Sequence, residues 1–327
     1  RPFKRLSGNA LKTLQDRLRN VKILIIDEVS MMGKKMMYFI DQRLRQASGK
    51  ESVAFGGFRL LLVGDFQQLP PVGDKPLYDE GDDSYMLFDS IQNVVQLAQS
   101  QRQSGEDADQ LAFKKVLTHC QDGALDEDDW NVLKTRFIQT AADSNDAKWN
   151  DAPHLFFDNK SSFEYNMTKL KALNKPIARL KAKHNCAQAR KRDSNEANGL
   201  RSELFLAVGA EVMLTSNLWT DVGLHNGAKG TVVDFVYKNA SGPRSGELPE
   251  AVVVQFRDLD SDIEPFLPGV PRTVAIPIIK VEWKSPSGGA TFIREQVPLM
   301  LSWAFTIHKA QGKTLDLAVI NLGKSEK

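Results

Sequence analysis

Cysteine is nearly missing from this 327-residue chain, which holds only Cys120 and Cys186. Two thiols cannot build a disulfide framework or a cysteine zinc site, and their scarcity points to a reducing, intracellular setting. Long apolar runs are missing too: no stretch approaches the ~18–20 residues a membrane-spanning helix needs. Neither charge sign is in excess, since 43 Lys and Arg face 41 Asp and Glu for a net charge of +2. A basic surface, if there is one, must therefore be local. The chain opens at Arg1 with neither Met nor an apolar leader segment, so it reads as a piece of a longer protein. What remains is an ordinary globular balance of 42% hydrophobic and 26% charged residues. Collagen-like and disordered chains are excluded, and the length suggests about two domains.

The first third alternates helical and extended patterns. Ser7 can cap a helix whose Leu11, Leu14 and Leu18 share one face. The run Val21–Ile26 then leads into Asp27-Glu28, and Met37, Ile40 and Leu44 are spaced for a second helix. A second apolar run, Arg59–Val63, ends in Gly64-Asp65. Such runs separated by helices read as a parallel sheet covered on both faces. The middle, roughly Gln101 to Arg201, reads as largely helical, with Asn- and Asp-rich loops near 143–151. Between Gly227 and Arg294 the texture becomes short strands, at Gly230–Tyr237, Ala251–Phe256, Thr273–Ile279 and Val281–Trp283, with turn residues at 241–243 and 287–289. They read as a small β-barrel inserted into an α/β body, and the tail returns to α/β with a strand at Leu317–Leu322.

Two strand ends carry chemistry. Asp27 and Glu28 sit at the C-terminal tip of a buried strand, where open α/β sheets bind ligands. An Asp there can hold magnesium, and the next Glu can orient and deprotonate an attacking water. A solvated acidic turn fits Asp27-Glu28 equally well when the pair is taken alone. The second end, Gly64-Asp65-Phe66-Gln67-Gln68-Leu69-Pro70-Pro71, adds an uncharged polar residue, Gln68, aimed by two stiff prolines. A glutamine so placed can sense a γ-phosphate.

With Thr306-Ile307-His308-Lys309-Ala310-Gln311-Gly312 these segments follow one another in the order of helicase motifs II, III and V. The chain resembles the Pif (petite integration frequency) family of DNA helicases, RecD-like members of superfamily one, and within it the eukaryotic branch that includes Helitron transposon helicases. Val208–Leu214 and Leu224–Gly230 also match segments of that family. The resemblance implies an α/β fold of two RecA-like P-loop NTPase domains with parallel sheets, flanking helices and an inserted SH3-like β-barrel. The expected division is 1–102, the later part of the first RecA-like domain; 103–226, a helical segment and the start of the second; 227–296, the insertion; and 297–327, a return to the second.

The family's activity is ATP-driven 5′-to-3′ unwinding of DNA, used in repair, recombination or telomere maintenance, with ATP as substrate and Mg2+ as cofactor. The resemblance implies that Asp27 holds the metal, Glu28 is the catalytic base and Gln68 senses the γ-phosphate. It also places Asp65 at the nucleotide, and Arg102 where a motif IV arginine steadies charge on the transferring phosphoryl group. Read alone, Arg102 is a solvated arginine. Single-stranded DNA and duplex junctions are the implied partners, contacted by Pro70, Pro71, Thr306, His308, Lys309 and Gln311. The implied motor is monomeric and intracellular, in the nucleus and/or mitochondrion if the chain is eukaryotic. The phosphate-cradling Gly-x-x-x-x-Gly-Lys-Ser/Thr loop is not found upstream of Asp27. Gly312-Lys313-Thr314 and Gly323-Lys324-Ser325 lack the first glycine, having Ile307 and Ala318 in its place. The chain is therefore expected to be a motor core cut at both ends and inactive alone; the rival reading is a non-catalytic DNA-binding remnant of a transposon helicase.

The DNA side is less sharp in the residues themselves. Lys169, Lys171, Lys175, Arg179, Lys181, Lys183, Arg190, Lys191 and Arg192 concentrate positive charge, as a phosphate track or as a solvated face. Trp219, Trp283 and Trp303 could stack on bases but suit a core better, and Met31, Met32, Met36 and Met37 read as core filling. His119, His154, His184 and His225 lack metal-binding spacing and read as structural.

Overall fold

The structure is a computed structural model describing residues 2–80, 87–97, 105–137, 149, 152–238, 247–260, 262–284, 290–313 and 315–323. The chain forms two compact units, Arg1–Ser144 and Asn145–Lys327.

The first unit contains α1 (Gly8–Leu18), β1 (Ile23–Ile26), α2 (Lys34–Ser48), β2 (Arg59–Leu62), α3 (Ala108–Asp122) and α4 (Glu127–Lys134). The β-branched and leucine runs pair as parallel strands in register, Ile23 opposite Arg59 and Ile26 opposite Leu62. Their inner residues Leu24, Ile26, Leu60 and Leu62 join Met37, Leu44, Phe55 and Leu77 in one core. The opposite face is not covered among the described residues: Ile23, Ile25, Leu61 and Val63 are 43–66% exposed. The expected two-sided coverage fails because the apolar faces of α1 and α2 both turn toward the Leu24–Ile26 side. The methionines divide likewise, Met32 and Met37 buried and Met31 and Met36 exposed. Residues 105–134 group with this first unit, whereas the sequence division starts a new domain at 103.

The second unit runs through β3 (His154–Phe156), α5 (Asn159–Ala172), β4 (Ala178–Lys181), β5 (Lys183–His184), α6 (Ala187–Arg190), β6 (Glu203–Leu206), β7 (Glu211–Leu214), β8 (Lys229–Val236), β9 (Ala251–Phe256), β10 (Thr273–Pro277), β11 (Ile279–Lys284), β12 (Thr291–Gln296), β13 (Leu299–Leu301), β14 (Ala304–Thr306), α7 (Ile307–Ala310) and β15 (Val319–Ile320). Among the described residues the middle of the chain is thus less helical than its composition suggests. Strands β3, β4 and β5 are only two to four residues long, too short to display a period.

Strands β14, β3 and β15 form a parallel sheet in that order. Buried Asn166 of α5 fastens its edge, donating to the Ala304 carbonyl at 2.6 Å and accepting the Ala304 amide at 3.0 Å. The strands between 227 and 296 fall in two antiparallel sheets, each completed from outside that segment. Strands β8, β9 and β10 continue into β7 and β13, while β11 and β12 continue into β5. Leu206, Val212, Leu214, Val252, Val254, Ile276 and Leu299 centre the core beneath them.

Candidate functional site

The tips of β1 and β2 are hooked together beyond their ladder. The Val63 amide donates to the Ile26 carbonyl at 2.8 Å, and the Val29 amide donates to the Val63 carbonyl at 3.0 Å. Between them the chain turns sharply through Glu28, whose φ of +54° is left-handed. Such a conformation costs a non-glycine residue energy and concentrates at functional sites. It carries the chain from Asp27, which is exposed at the strand tip, to Val29 and Ser30, which are buried. Asp27 Oδ1 accepts the Glu28 amide at 2.8 Å, fixing the carboxylate against its own turn.

The second tip forms an equally local device. Asp65 accepts the Gln67 amide on Oδ1 at 2.9 Å, and its carbonyl accepts the Gln68 amide at 3.0 Å. The Gln68 side-chain amide lies 3.4 Å from Asp65 Oδ2, so the glutamine is held at the turn rather than loose in solvent. Phe66 anchors the same turn edge-on between Tyr78 and Phe88, with ring centroids 5.6 and 5.4 Å away. Pro70 is exposed and Pro71 half-buried on the following segment. Asp27, Glu28, Asp65 and Gln68 thus sit on two neighbouring, mutually bonded strand ends. Arg102 lies outside the described residues. A small hard cation needs few protein oxygens because water and phosphate complete its shell, and the exposed Asp27 carboxylate fits that demand.

In the second unit, Thr306 ends β14 and is buried, leading into the single turn of α7 without a side-chain capping bond. His308, Lys309 and Gln311 are half-buried on and after that turn. Lys309 has its ammonium 4.0 Å from Met300 Sδ. Burial, then the nearby Arg201, lowers its pKa, while Asp193 pulls the other way. The Lys169–Arg192 cations are mostly exposed, and Arg179 and Arg192 are paired with Glu203 and Glu196. Trp219 is exposed, while Trp303 and Trp283 pack against cores.

One cluster could not be read from spacing. His119, Asp126 and Asp129 bring their ligand atoms within 4.8 Å of one another. The carboxylates are already used: Asp126 and Asp129 form the capping box of α4, and His119 Nδ1 lies 2.6 Å from Asp129 Oδ2. Lys115 stands 3.6 Å from Asp126, which disfavours a cation, so the cluster is a helix cap.

A family model described as PIF1-like helicase matches residues 6–131, spanning both strand tips. The chain belongs to the PIF1-like helicase family. A second model of that family, the 2B domain of DNA helicase Pif1, matches residues 194–235. The ATP-dependent DNA helicase PIF1 of Danio rerio is 30% identical over 306 residues, covering 93% of this chain and 42% of the fish protein. The ATP-dependent DNA helicase Pif1 of a Psychrobacter species is 27% identical over 96% of this chain and 51% of its own. The chain therefore spans about half the length of these relatives or less. The Pif1 helicase of Candida albicans superposes with a TM-score of 0.72 at 24% identity, over 94% of this chain and 68% of that one. Bacteroides Pif1 bound to single-stranded DNA superposes with a TM-score of 0.58 at 21% identity, over 98% and 68%. At these identities the superpositions establish the fold, RecA-like α/β with parallel sheets.

Proposed function

We propose that this chain is the core of an ATP-dependent DNA helicase that unwinds duplexes 5′ to 3′ along single-stranded DNA. The observation that supports it best is the bonded pair of strand tips, which holds Asp27-Glu28 and Asp65–Gln68 side by side at the C-terminal ends of parallel strands. In this reading Asp27 would hold a magnesium ion, whose positive charge would offset that of the nucleotide phosphates. Glu28 accepts the proton of the attacking water, Gln68 senses the γ-phosphate, and Arg102 steadies the developing charge. The turn at Glu28 projects its carboxylate from a fixed backbone, so water is oriented without reorganising the protein. Pro70, Pro71 and the α7 turn are assigned to the DNA strand, and β8–β12 to the SH3-like insertion.

The experiment is ATP hydrolysis by a longer form of the protein that includes a phosphate-cradling loop, measured with and without single-stranded DNA. DNA-stimulated turnover that Glu28→Gln abolishes supports the reading. Turnover unaffected by DNA or by that substitution refutes it.

A further inference from the structure

The arm that carries Pro70 and Pro71 is fastened at both ends. At its near end Phe66 packs edge-on against Tyr78, with ring centroids 5.6 Å apart. At its far end, residues 74–79 lie against the start of α2, a few positions beyond Glu28. Gly33 and Pro76 form an isolated antiparallel bridge, and the Lys34 amide donates to the Lys75 carbonyl at 3.0 Å. Leu77, fully buried, joins the core of Val29, Met32 and Met37 and so holds the seam by packing. Asp79 adds charge to it, 3.0 Å from the Lys75 ammonium and 3.8 Å from that of Lys34.

Asp74 sits at the centre of this joint. Its Oδ1 accepts the adjacent Lys75 amide at 2.9 Å, and its Oδ2 accepts the Lys35 amide in the first turn of α2 at 3.0 Å. The first amides of a helix have no partner within it and form its positive end, so a carboxylate is a favoured acceptor there. That acceptor usually belongs to the residue just before the helix. Here that residue is Gly33, which has no side chain to offer. Its φ of −88° suits any residue, so the backbone does not call for glycine. Space does: a Cβ on Gly33 would lie 2.3 Å from both Cγ and Oδ2 of Asp74. Helix α2 is therefore capped from the arm, and Gly33 leaves room for the cap.

We infer that Asp74 is a positioning residue for ATP hydrolysis, locking the proline arm to the stretch that carries Glu28. The role rests on the helicase reading of the two strand tips. Gln68 lies at the near end of the arm, and Glu28 leads through a short turn into Gly33 and the far end. With the lock in place, a strand held on Pro70 and Pro71 cannot shift the arm without moving the Glu28 turn along with Gln68. Without it the far end slides past α2, and strand contact reaches Gln68 alone. Asp74 acts through these neighbours and touches neither nucleotide nor strand.

The test uses a longer form of the protein that includes a phosphate-cradling loop. ATP turnover is measured across ATP concentrations at saturating oligo-dT, with urea midpoints to confirm folding. Asp74→Ala is expected to lower kcat about tenfold, the scale of one lost cap, while KM for ATP moves less than about twofold. Gly33→Ala keeps the carboxylate but displaces it, and should reproduce that loss. Asp74→Asn keeps an acceptor oxygen and should stay within about threefold of the parent. Asp107→Ala is the structural control: its carboxylate caps α3 in the same unit by accepting the Gln110 amide at 3.0 Å. That variant should lose comparable stability with kcat and KM unchanged. Parent-like kcat in Asp74→Ala or Gly33→Ala, equal losses in Asp74→Asn and Asp74→Ala, or the same loss in Asp107→Ala overturns the role of Asp74 and leaves the helicase reading standing. A parent whose turnover DNA does not stimulate overturns the helicase reading itself, and this role with it.

Discussion

A side chain on Gly64 would begin 2.7 Å from the amide nitrogen of Val29. The residue that opens the second motif is thus pressed against the residue that closes the first. That amide donates to Val63, so a methyl at 64 must push apart the bond joining the two strand tips. Overpacking of this kind costs ~1–3 kcal/mol. Gly64→Ala should therefore lower the unfolding midpoint of the first unit, measured in urea, and an unchanged midpoint would mean the tips are not clamped.

Glu28→Gln keeps the size and hydrogen-bonding capacity of the side chain but cannot accept a proton. In a form of the protein that includes a phosphate loop, ATP and DNA binding should persist while turnover falls ~10²–10⁴-fold, the usual contribution of a general base. A loss under about tenfold would remove Glu28 from that role. The 327 residues themselves contain no Gly-x-x-x-x-Gly-Lys-Ser/Thr loop. Purified as they stand, they should show no DNA-stimulated hydrolysis in a phosphate-release assay.

The strand tips were legible because an apolar run that ends abruptly in carboxylates marks a strand end in a few consecutive residues. Strand β1 proved shorter than its apolar run, and one face proved open, because alternation along a strand does not say which face a helix will cover. Strands β4 and β5 were hidden, since Arg179, Lys181 and Lys183 read as a charged run rather than as the outer face of a sheet. The pairing of β5 with β12 joins residues more than a hundred positions apart, and no local pattern announces it.

Thr306, His308 and Lys309 separate once burial is known. Thr306 is buried, so Thr306→Ala should act through stability, seen as a lower melting temperature. Half-buried Lys309 carries the charge of the α7 turn that is assigned to DNA. Lys309→Ala should reduce the slope of log affinity against log salt for single-stranded DNA by about 0.7, one phosphate's worth of counter-ion release. His308→Ala should weaken binding by ~1 kcal/mol with little change of slope. Fluorescence anisotropy across a salt series distinguishes these outcomes, and an unchanged slope in Lys309→Ala would detach this turn from the DNA track.

Arg294, fully buried, supports the loop 185–200 through its whole guanidinium. It donates to the carbonyls of Leu200, Ala189 and Arg192 at 2.7, 3.0 and 2.7 Å, and its Nε donates to His184 Nε2 at 3.1 Å. That last bond requires a neutral His184 ring, since a protonated Nε2 has no lone pair to offer. Burial, then the charge of Arg294, lowers the His184 pKa; the Ala182 backbone pushes it up, and Arg190 adds a lesser downward push. His154, lowered by burial and by Lys169, acts in the same direction. The unfolded chain takes up these protons near the ordinary histidine value of about 6.5, while the folded chain resists them until lower pH. Their contribution to stability is therefore complete above about pH 6.5 and is lost as pH falls from there through the folded values. Unfolding midpoints measured from pH 8 to pH 5 should be level at first and then decline, by up to about 1.4 kcal/mol per pH unit for each proton taken up. In His184→Gln a carbonyl oxygen can accept the Arg294 bond without titrating. That variant should decline less steeply between pH 6.5 and 5, and a profile parallel to the parent's would show that His184 does not carry the dependence.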